Sequence, residues 1–182
     1  MKHLMKMLLP VTAIFLLTAC GSNETNNENA EGITSVAKEE MPSVQNDKTI
    51  INNGDLNAVY EQYAKLTDAF TRGDVANAKL AANAIEVGAK ELDGGQAIAS
   101  SAATIVGADD IEVQRTAYLK MSNDLIALVK SSGMKEGELY VEHCPMAFNN
   151  AGGSWISSNK EIRNPYFGDK MMTCGEVTET IK

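Results

Sequence analysis

Residues 56–70 read LNAVYEQYAKLTDAF, and this stretch decides the fold. Its large apolar side chains recur every three or four residues, at Leu56, Val59, Tyr60, Tyr63, Leu66 and Phe70. That spacing matches the 3.6-residue period of an α-helix and predicts a helix with one apolar face. Asn53 or Asp55 can cap its start, and Arg72-Gly73 is a typical stop.

The same periodicity recurs in three further segments. Asp74 can cap a second helix, rich in alanine on its apolar face, that ends at Asp93-Gly94-Gly95. Residues 97–106 predict a short third helix, and a fourth runs from Asp109 to about Ser131. Short connections favour antiparallel neighbours. The expected fold is therefore mainly α: an antiparallel up-and-down bundle of three to four helices.

From Leu139 onwards, glycines, prolines, aromatics and two cysteines replace the helical period. Residues from about 139 to 182 therefore predict a small irregular C-terminal lobe with short β-strands, which include Tyr140-Val141 and Trp155-Ile156. Large aromatic side chains mostly serve burial, so three of them are expected to pack this lobe on the bundle. They are Trp155, Tyr166 and Phe167.

The N-terminus predicts export. Lys2 and Lys6 precede an apolar run, Met7–Leu17, that is too short to be a permanent membrane span. The run ends in Leu17-Thr18-Ala19-Cys20, which resembles the lipobox of bacterial lipoproteins. Residues 1–19 are therefore expected to be a lipoprotein signal peptide, and Cys20 the lipid-modified first residue that attaches the protein to a membrane.

Residues 20–53 are rich in Asn, Glu, Ser and Thr and carry no aromatic residue. Such a segment buries too little apolar surface to fold, so it predicts a disordered tether ahead of a domain at 54–182. Gly21 lacks the acidic side chain that commonly retains lipoproteins in an inner membrane. We therefore expect a lipoprotein that faces the periplasm from the outer membrane.

The net charge of −8 argues against nucleic acid as a partner, because an acidic surface repels phosphate. Motifs of serine hydrolases, zinc proteases and nucleotide-binding loops do not occur in the sequence. His143 and Cys144 are neighbours, and on a strand they would face opposite ways, which places them poorly for proton transfer. A non-enzymatic protein is expected.

Two pieces of the lobe stand out: HCPMA at 143–147, and NPYFGDKMMTCG at 164–175, with WIS at 155–157 between them. In this order they resemble a family of uncharacterised bacterial domains. Its members occur alone on exported chains and at the C-terminus of some CusB-like periplasmic adaptors of copper and silver efflux pumps. The resemblance covers roughly residues 55–181 and implies a helical domain with a soft-metal site.

The donor atoms of these pieces suit Cu(I) or Ag(I), which prefer thiolate, thioether and imidazole. On an extended strand, Cys144 and Met146 point to one face and His143 to the other, although Pro145 can break the strand. In the second piece, a strand would align Met172 with Cys174, and a helical turn would align Met171 with it. The candidate ligands are, in order of preference, Cys144, Met146, Cys174, one of Met172 and Met171, and His143.

A structural disulfide between Cys144 and Cys174 is the competing interpretation. Lipidation of Cys20 leaves an even pair of cysteines in an oxidising compartment, where such pairs commonly bridge. A bridge of this span would stabilise the domain by roughly 3–4 kcal/mol. The chain would then be a non-catalytic protein-interaction module. The two cysteines therefore predict one of two functions. They form a Cu(I) site in a protein that buffers the ion or passes it to an efflux adaptor or metallochaperone, or they form a structural disulfide.

Overall fold

A computed structural model of the protein describes residues 48–182. The predicted signal peptide, the lipid site at Cys20 and the tether as far as residue 47 lie outside these residues. The described part has four long helices: α1 (Gly54–Thr71), α2 (Val75–Lys90), α3 (Gln96–Gly107) and α4 (Ile111–Ser132). Its strands are β1 (Ile50–Ile51), β2 (Met134–Glu136), β3 (Leu139–Cys144), β4 (Gly153–Ser157) and β5 (Glu176–Ile181).

Side-chain caps fix where three of these helices begin. The Asn53 Oδ1 accepts the Leu56 N–H at 3.0 Å, and the Asp74 Oδ1 accepts the Asn77 N–H at 3.0 Å. Asp110 accepts the Glu112 N–H at 2.7 Å. Each cap satisfies an N–H that has no partner within its own helix. The starts predicted near Asn53, Asp74 and Asp109 are thereby confirmed to within a residue or two.

The helices form the expected bundle, in which α2 packs between α1 and α3, and α4 packs against both α3 and α1. The buried face of α2 consists mainly of alanine: Ala78, Ala81, Ala82, Ile85 and Ala89. Because alanine side chains are short, the flanking helices can approach α2 closely on both sides. The prediction of a mainly helical bundle with a small lobe of short strands is confirmed.

The folded part reaches further towards the N-terminus than the boundary expected at residue 54. Ile50–Ile51, assigned above to the tether, forms β1 and pairs with β2 in an antiparallel ladder. Ile51 is buried, and its N–H donates to the Asn57 Oδ1 at 3.0 Å. Two consecutive isoleucines at the end of a polar segment are the feature of the sequence that marks this strand.

The lobe contains a three-stranded antiparallel sheet in the order β4-β3-β5. Cross-strand partners include Tyr140 with Ser157 and Cys144 with Gly153. Both strands predicted at Tyr140-Val141 and Trp155-Ile156 are present. The third strand, β5, was not predicted. Ile181 is its one buried residue, so its sequence does not alternate between apolar and polar residues as a half-buried strand does.

An aromatic cluster joins the lobe to the bundle. Tyr118 of α4 stacks on Tyr63 of α1 with ring centroids 5.2 Å apart, and contacts Tyr166 edge-on at 5.6 Å. Tyr166 in turn meets Trp155 of β4 at 5.8 Å. Trp155 and Tyr166 are buried, and Phe167 is half-buried. The expected packing of the lobe through aromatic side chains is confirmed, and it holds the sheet in place against the helices.

Candidate functional site

The two cysteines of the lobe lie side by side. Cys144 is the last residue of β3, and Cys174 lies in the turn before β5. Their sulfur atoms are 2.8 Å apart and both residues are free thiols. A disulfide bond is about 2.05 Å long. The structure thus brings the two predicted residues together as a thiol pair and not as the disulfide.

Asn164 fixes the loop that carries Cys174. Its side-chain oxygen accepts the N–H groups of Tyr166 at 2.8 Å and Phe167 at 3.2 Å. Its side-chain amide donates to the Cys174 carbonyl at 2.7 Å, and its backbone N–H donates to the Met172 carbonyl at 2.7 Å. Asn164 is fully buried, so these bonds form out of water. One asparagine therefore sets the path of the chain on both sides of the thiol.

Met146 does not lie on the strand face of Cys144, which corrects one of the geometries expected above. β3 ends at Cys144, and Met146 has helical dihedrals of φ −86° and ψ −12°. Pro145 lacks an N–H and breaks the ladder at this point. Met146 still borders the thiol pair, because its backbone N–H interacts with the Cys174 sulfur. Its side chain is about half exposed at 49 %.

The second methionine piece adopts the turn alternative. The Cys174 N–H donates to the Met171 carbonyl at 3.2 Å, which closes a turn over residues 171–174. An extended strand, which would have aligned Met172 with Cys174, is absent from this piece of the described chain. Met171 and Met172 are both half-buried.

His143 is tied to the sheet. Its Nδ1 lies 3.0 Å from the Ser154 Oγ on β4, and its ring packs against Gly152. Neighbouring residues on a strand point to opposite faces, so the imidazole and the Cys144 thiol lie on different faces of β3. The structure therefore does not bring His143 to the thiol pair, although Pro145 breaks the strand.

The contact with Cys144 affects the protonation of Cys174. The hydrogen bond with Cys144, followed by burial, raises the pKa of the Cys174 thiol above its usual range. Cys174 is therefore protonated at neutral pH. A metal ion that binds thiolate has to displace this proton, so its apparent affinity increases as the pH rises.

A left-handed turn follows the cysteine of β3 and was not expected from the sequence. Phe148, Asn149 and Asn150 have φ values of 51°, 57° and 67°. Such values are uncommon for residues other than glycine, and asparagine tolerates them best. The turn places the Phe148 ring edge-on to Tyr166 at 5.2 Å. The Asn-Asn pair ahead of Gly152-Gly153 is the signal that could have indicated it.

Glu142 is the functional candidate that the sequence did not reveal. It lies in the middle of β3, fully buried, and neither carboxylate oxygen has a partner at ordinary hydrogen-bond distance. Burial raises its pKa to about 8, and a longer-range interaction with the Trp155 indole N–H opposes this shift without offsetting it. Arg115, the one buried cation of residues 48–182, donates to the Glu112 carboxylate and to the carbonyls of Pro165 and Phe70, and so does not pair with Glu142.

Residues 48–182 contain no cluster of three or more His, Cys, Asp or Glu side chains that could hold a metal ion. A site built from two thiols and a methionine thioether is of a different type, because only two of its ligands are cysteines. None of the helices in this part of the chain is both long and apolar enough to cross a membrane.

Comparison with known proteins gives a single finding. No curated protein and no solved structure matches the chain. A family model described as "Protein of unknown function (DUF3347)" matches residues 59–137. The match runs from within α1 to the end of β2, so it does not include the cysteine pieces of the lobe. Over its helical part, the chain is therefore similar to an uncharacterised domain family.

Proposed function

We propose that this protein binds a soft monovalent metal ion, Cu(I) or Ag(I), through Cys144 and Cys174 while tethered to the outer membrane by lipid on Cys20. It buffers the ion in the periplasm or passes it to an efflux adaptor or metallochaperone. The observation that carries the proposal is the pair of free thiols, 2.8 Å apart, that two distant parts of the chain bring together. Thiolate is the donor that these ions prefer.

The surroundings of the pair fit such an ion in composition. Three methionines lie within a few residues of a cysteine along the chain, at 146, 171 and 172. Met146 has an exposed side chain and a backbone N–H at the Cys174 sulfur, so it is the best placed to add thioether sulfur. Met171 and Met172 are the next candidates. His143 comes last because it faces away.

An ion bound by both thiols would need them further apart. With metal–sulfur bonds of about 2.3 Å, two sulfurs on one ion are separated by roughly 4 Å. Cys144 is fixed in the sheet and fully buried, whereas Cys174 is half-buried in a turn. The turn at residues 171–174 is therefore the side that would move, and the ion would approach from there.

A Cu(I) titration tests the proposal. The purified, reduced protein competes with a chromophoric Cu(I) chelator, in a Cys20→Ser background that leaves Cys144 and Cys174 as the two thiols. We expect one equivalent of Cu(I) to be withdrawn from the chelator, and at least tenfold weaker competition in Cys144→Ser or Cys174→Ser. Met134→Leu, outside the lobe, is the control and should compete like the parent. Failure of the parent to compete would overturn the proposal.

The second candidate function is protein interaction, by a module in which Cys144 and Cys174 form a structural disulfide. The same proximity favours it, because a closure of under 1 Å would bring the sulfurs to bonding distance. Intact mass after alkylation without reductant separates the two. Protein isolated from its own compartment with both thiols alkylated supports metal binding, whereas an unalkylated pair two hydrogens lighter supports the structural disulfide.

A further inference from the structure

A cavity of about 170 Å³ opens between α1 and the chain that runs from β4 to residue 163. Aromatic rings of Tyr60 and Trp155 line it, together with hydroxyl groups such as that of Thr67. Neither Cys144 nor Cys174 belongs to its lining. A cavity of about 150 Å³ can hold a benzene molecule, so this one has room for a ligand of about six non-hydrogen atoms.

Glu142 lines the same cavity with a carboxyl group that has no partner at ordinary hydrogen-bond distance in the described chain. A buried carboxyl without a partner is costly, and proteins normally pair it or satisfy it with hydrogen bonds. The one buried cation of residues 48–182, Arg115, is held by other groups. A charged group from outside the protein would supply the missing partner.

The charges around the cavity favour a positive ligand. Asp68, which is ion-paired with Arg72, and Glu161 also line it, against a single lining cation, Arg163. Tyr60 and Trp155 contribute aromatic rings to its wall, and the face of such a ring attracts cations through its quadrupole. An anion would meet three acids and one arginine, whereas a cation would meet a buried carboxyl and aromatic walls.

We propose that this cavity is a binding site for a small organic cation, an alkylammonium or guanidinium group on a short apolar chain, with Glu142 as its counter-charge. The proposal is independent of metal binding at the thiol pair. The apolar part of the ligand would lie against the rings, and the hydroxyl groups of the wall would fix its orientation.

Trp155 allows a direct measurement, because it is the single tryptophan of the sequence and it lines the cavity. The purified protein is titrated with butylammonium, and with butanol as the neutral probe of similar size. We expect a saturable change in Trp155 fluorescence with butylammonium. Butanol should bind at least about tenfold more weakly.

Three variants complete the test. Glu142→Gln should weaken the binding of butylammonium about tenfold and leave the binding of butanol unchanged, with folding checked by circular dichroism. Ala64→Leu, which narrows the mouth of the cavity while leaving Glu142 in place, should weaken the binding of both probes. Glu91→Gln, which changes an exposed acid at the end of α2, should bind butylammonium like the parent. No saturable signal, equal binding of butanol, or unchanged binding of butylammonium in Glu142→Gln would each overturn the proposal.

Discussion

Glu142 occupies the middle of β3 with both carboxylate oxygens buried and unpaired, and its pKa is raised to about 8. In the unfolded chain the same carboxyl titrates near its ordinary value of 4.5. Between pH 4.5 and about pH 8, the folded state therefore keeps a proton on Glu142 that the unfolded state has already lost. Because the folded state binds more protons there, the free energy of unfolding decreases as the pH rises from about 5 to about 8.

We predict that Glu142→Gln removes this loss of stability. At pH 5 the variant should match the parent, because the amide replaces a neutral acid of the same shape. At pH 8 it should be more stable by roughly 2–4 kcal/mol. Urea unfolding at both pH values measures the difference. Glu91→Gln makes the same charge change at an exposed site, and a similar gain there would contradict the assignment to Glu142.

Asn164 is the second residue whose role can be isolated. Asn164→Ala removes the donor to the Cys174 carbonyl and the acceptor for Tyr166 and Phe167, and should cost about 2–4 kcal/mol of stability. Asn164→Asp keeps the acceptor but buries a carboxylate opposite the Cys174 carbonyl, so it should cost at least as much stability while also freeing the turn of Cys174.

Both variants should form a Cys144–Cys174 disulfide several-fold more slowly with oxidised glutathione, because a looser turn brings the thiols together less often. Mass spectrometry of quenched samples gives this rate. Asn83→Ala, on the exposed side of α2, is the control. If the rate is the same in all four proteins, Asn164 does not position the thiol.

At the scale of elements, α2 depends on the small size of its buried side chains. It packs between α1 and α3, and Ala82 is fully buried in this contact, whereas Ala84 of the same helix is exposed. Ala82→Leu should destabilise the protein by about 1–3 kcal/mol, because the extra methylenes force the neighbouring helices apart. Ala84→Leu should stay within about 0.5 kcal/mol. Thermal unfolding of the pair checks this, and equal effects would show that α2 is not tightly packed.

The helices were predictable because their information is local. Apolar spacing and the caps at Asn53, Asp74 and Asp110 specify each helix from its own sequence. β5 was not predictable in this way, since it has little apolar pattern and exists because β3 offers it hydrogen bonds. Ile51 was missed for a similar reason: its burial depends on β2, more than eighty residues later.

The candidate site was predictable only in part, for the same reason. The types of donor at Cys144 and Cys174 could be taken from the sequence, but their contact arises from a turn held by Asn164, which is a tertiary effect. The alignment of Cys144 with Met146 failed because the strand stops at Pro145. Glu142 went unnoticed because an acid at a strand position ordinarily faces water.

At the scale of the whole molecule, the lobe and the bundle share one core. Tyr63 and Tyr118 of the bundle, with Tyr166 and Trp155 of the lobe, form a continuous set of ring contacts. Arg115 of α4 adds hydrogen bonds to the carbonyls of Phe70, at the end of α1, and of Pro165 in the lobe. These contacts are buried, so separating the lobe from the bundle would expose aromatic surface and break the hydrogen bond from Arg115 to the lobe.

We therefore predict that lobe and bundle unfold in one cooperative transition. Trp155 reports on the lobe by fluorescence, and circular dichroism at 222 nm reports on the helices of the bundle. The two urea curves should share a midpoint, as two-state unfolding requires. Tyr118→Ala removes the ring between Tyr63 and Tyr166. It should reduce the free energy of unfolding by about 3–5 kcal/mol and so lower the common midpoint. A fluorescence transition at lower urea than the helical one in the parent protein would show instead that the lobe is an independent unit, and that the thiol pair can open while the bundle stays folded.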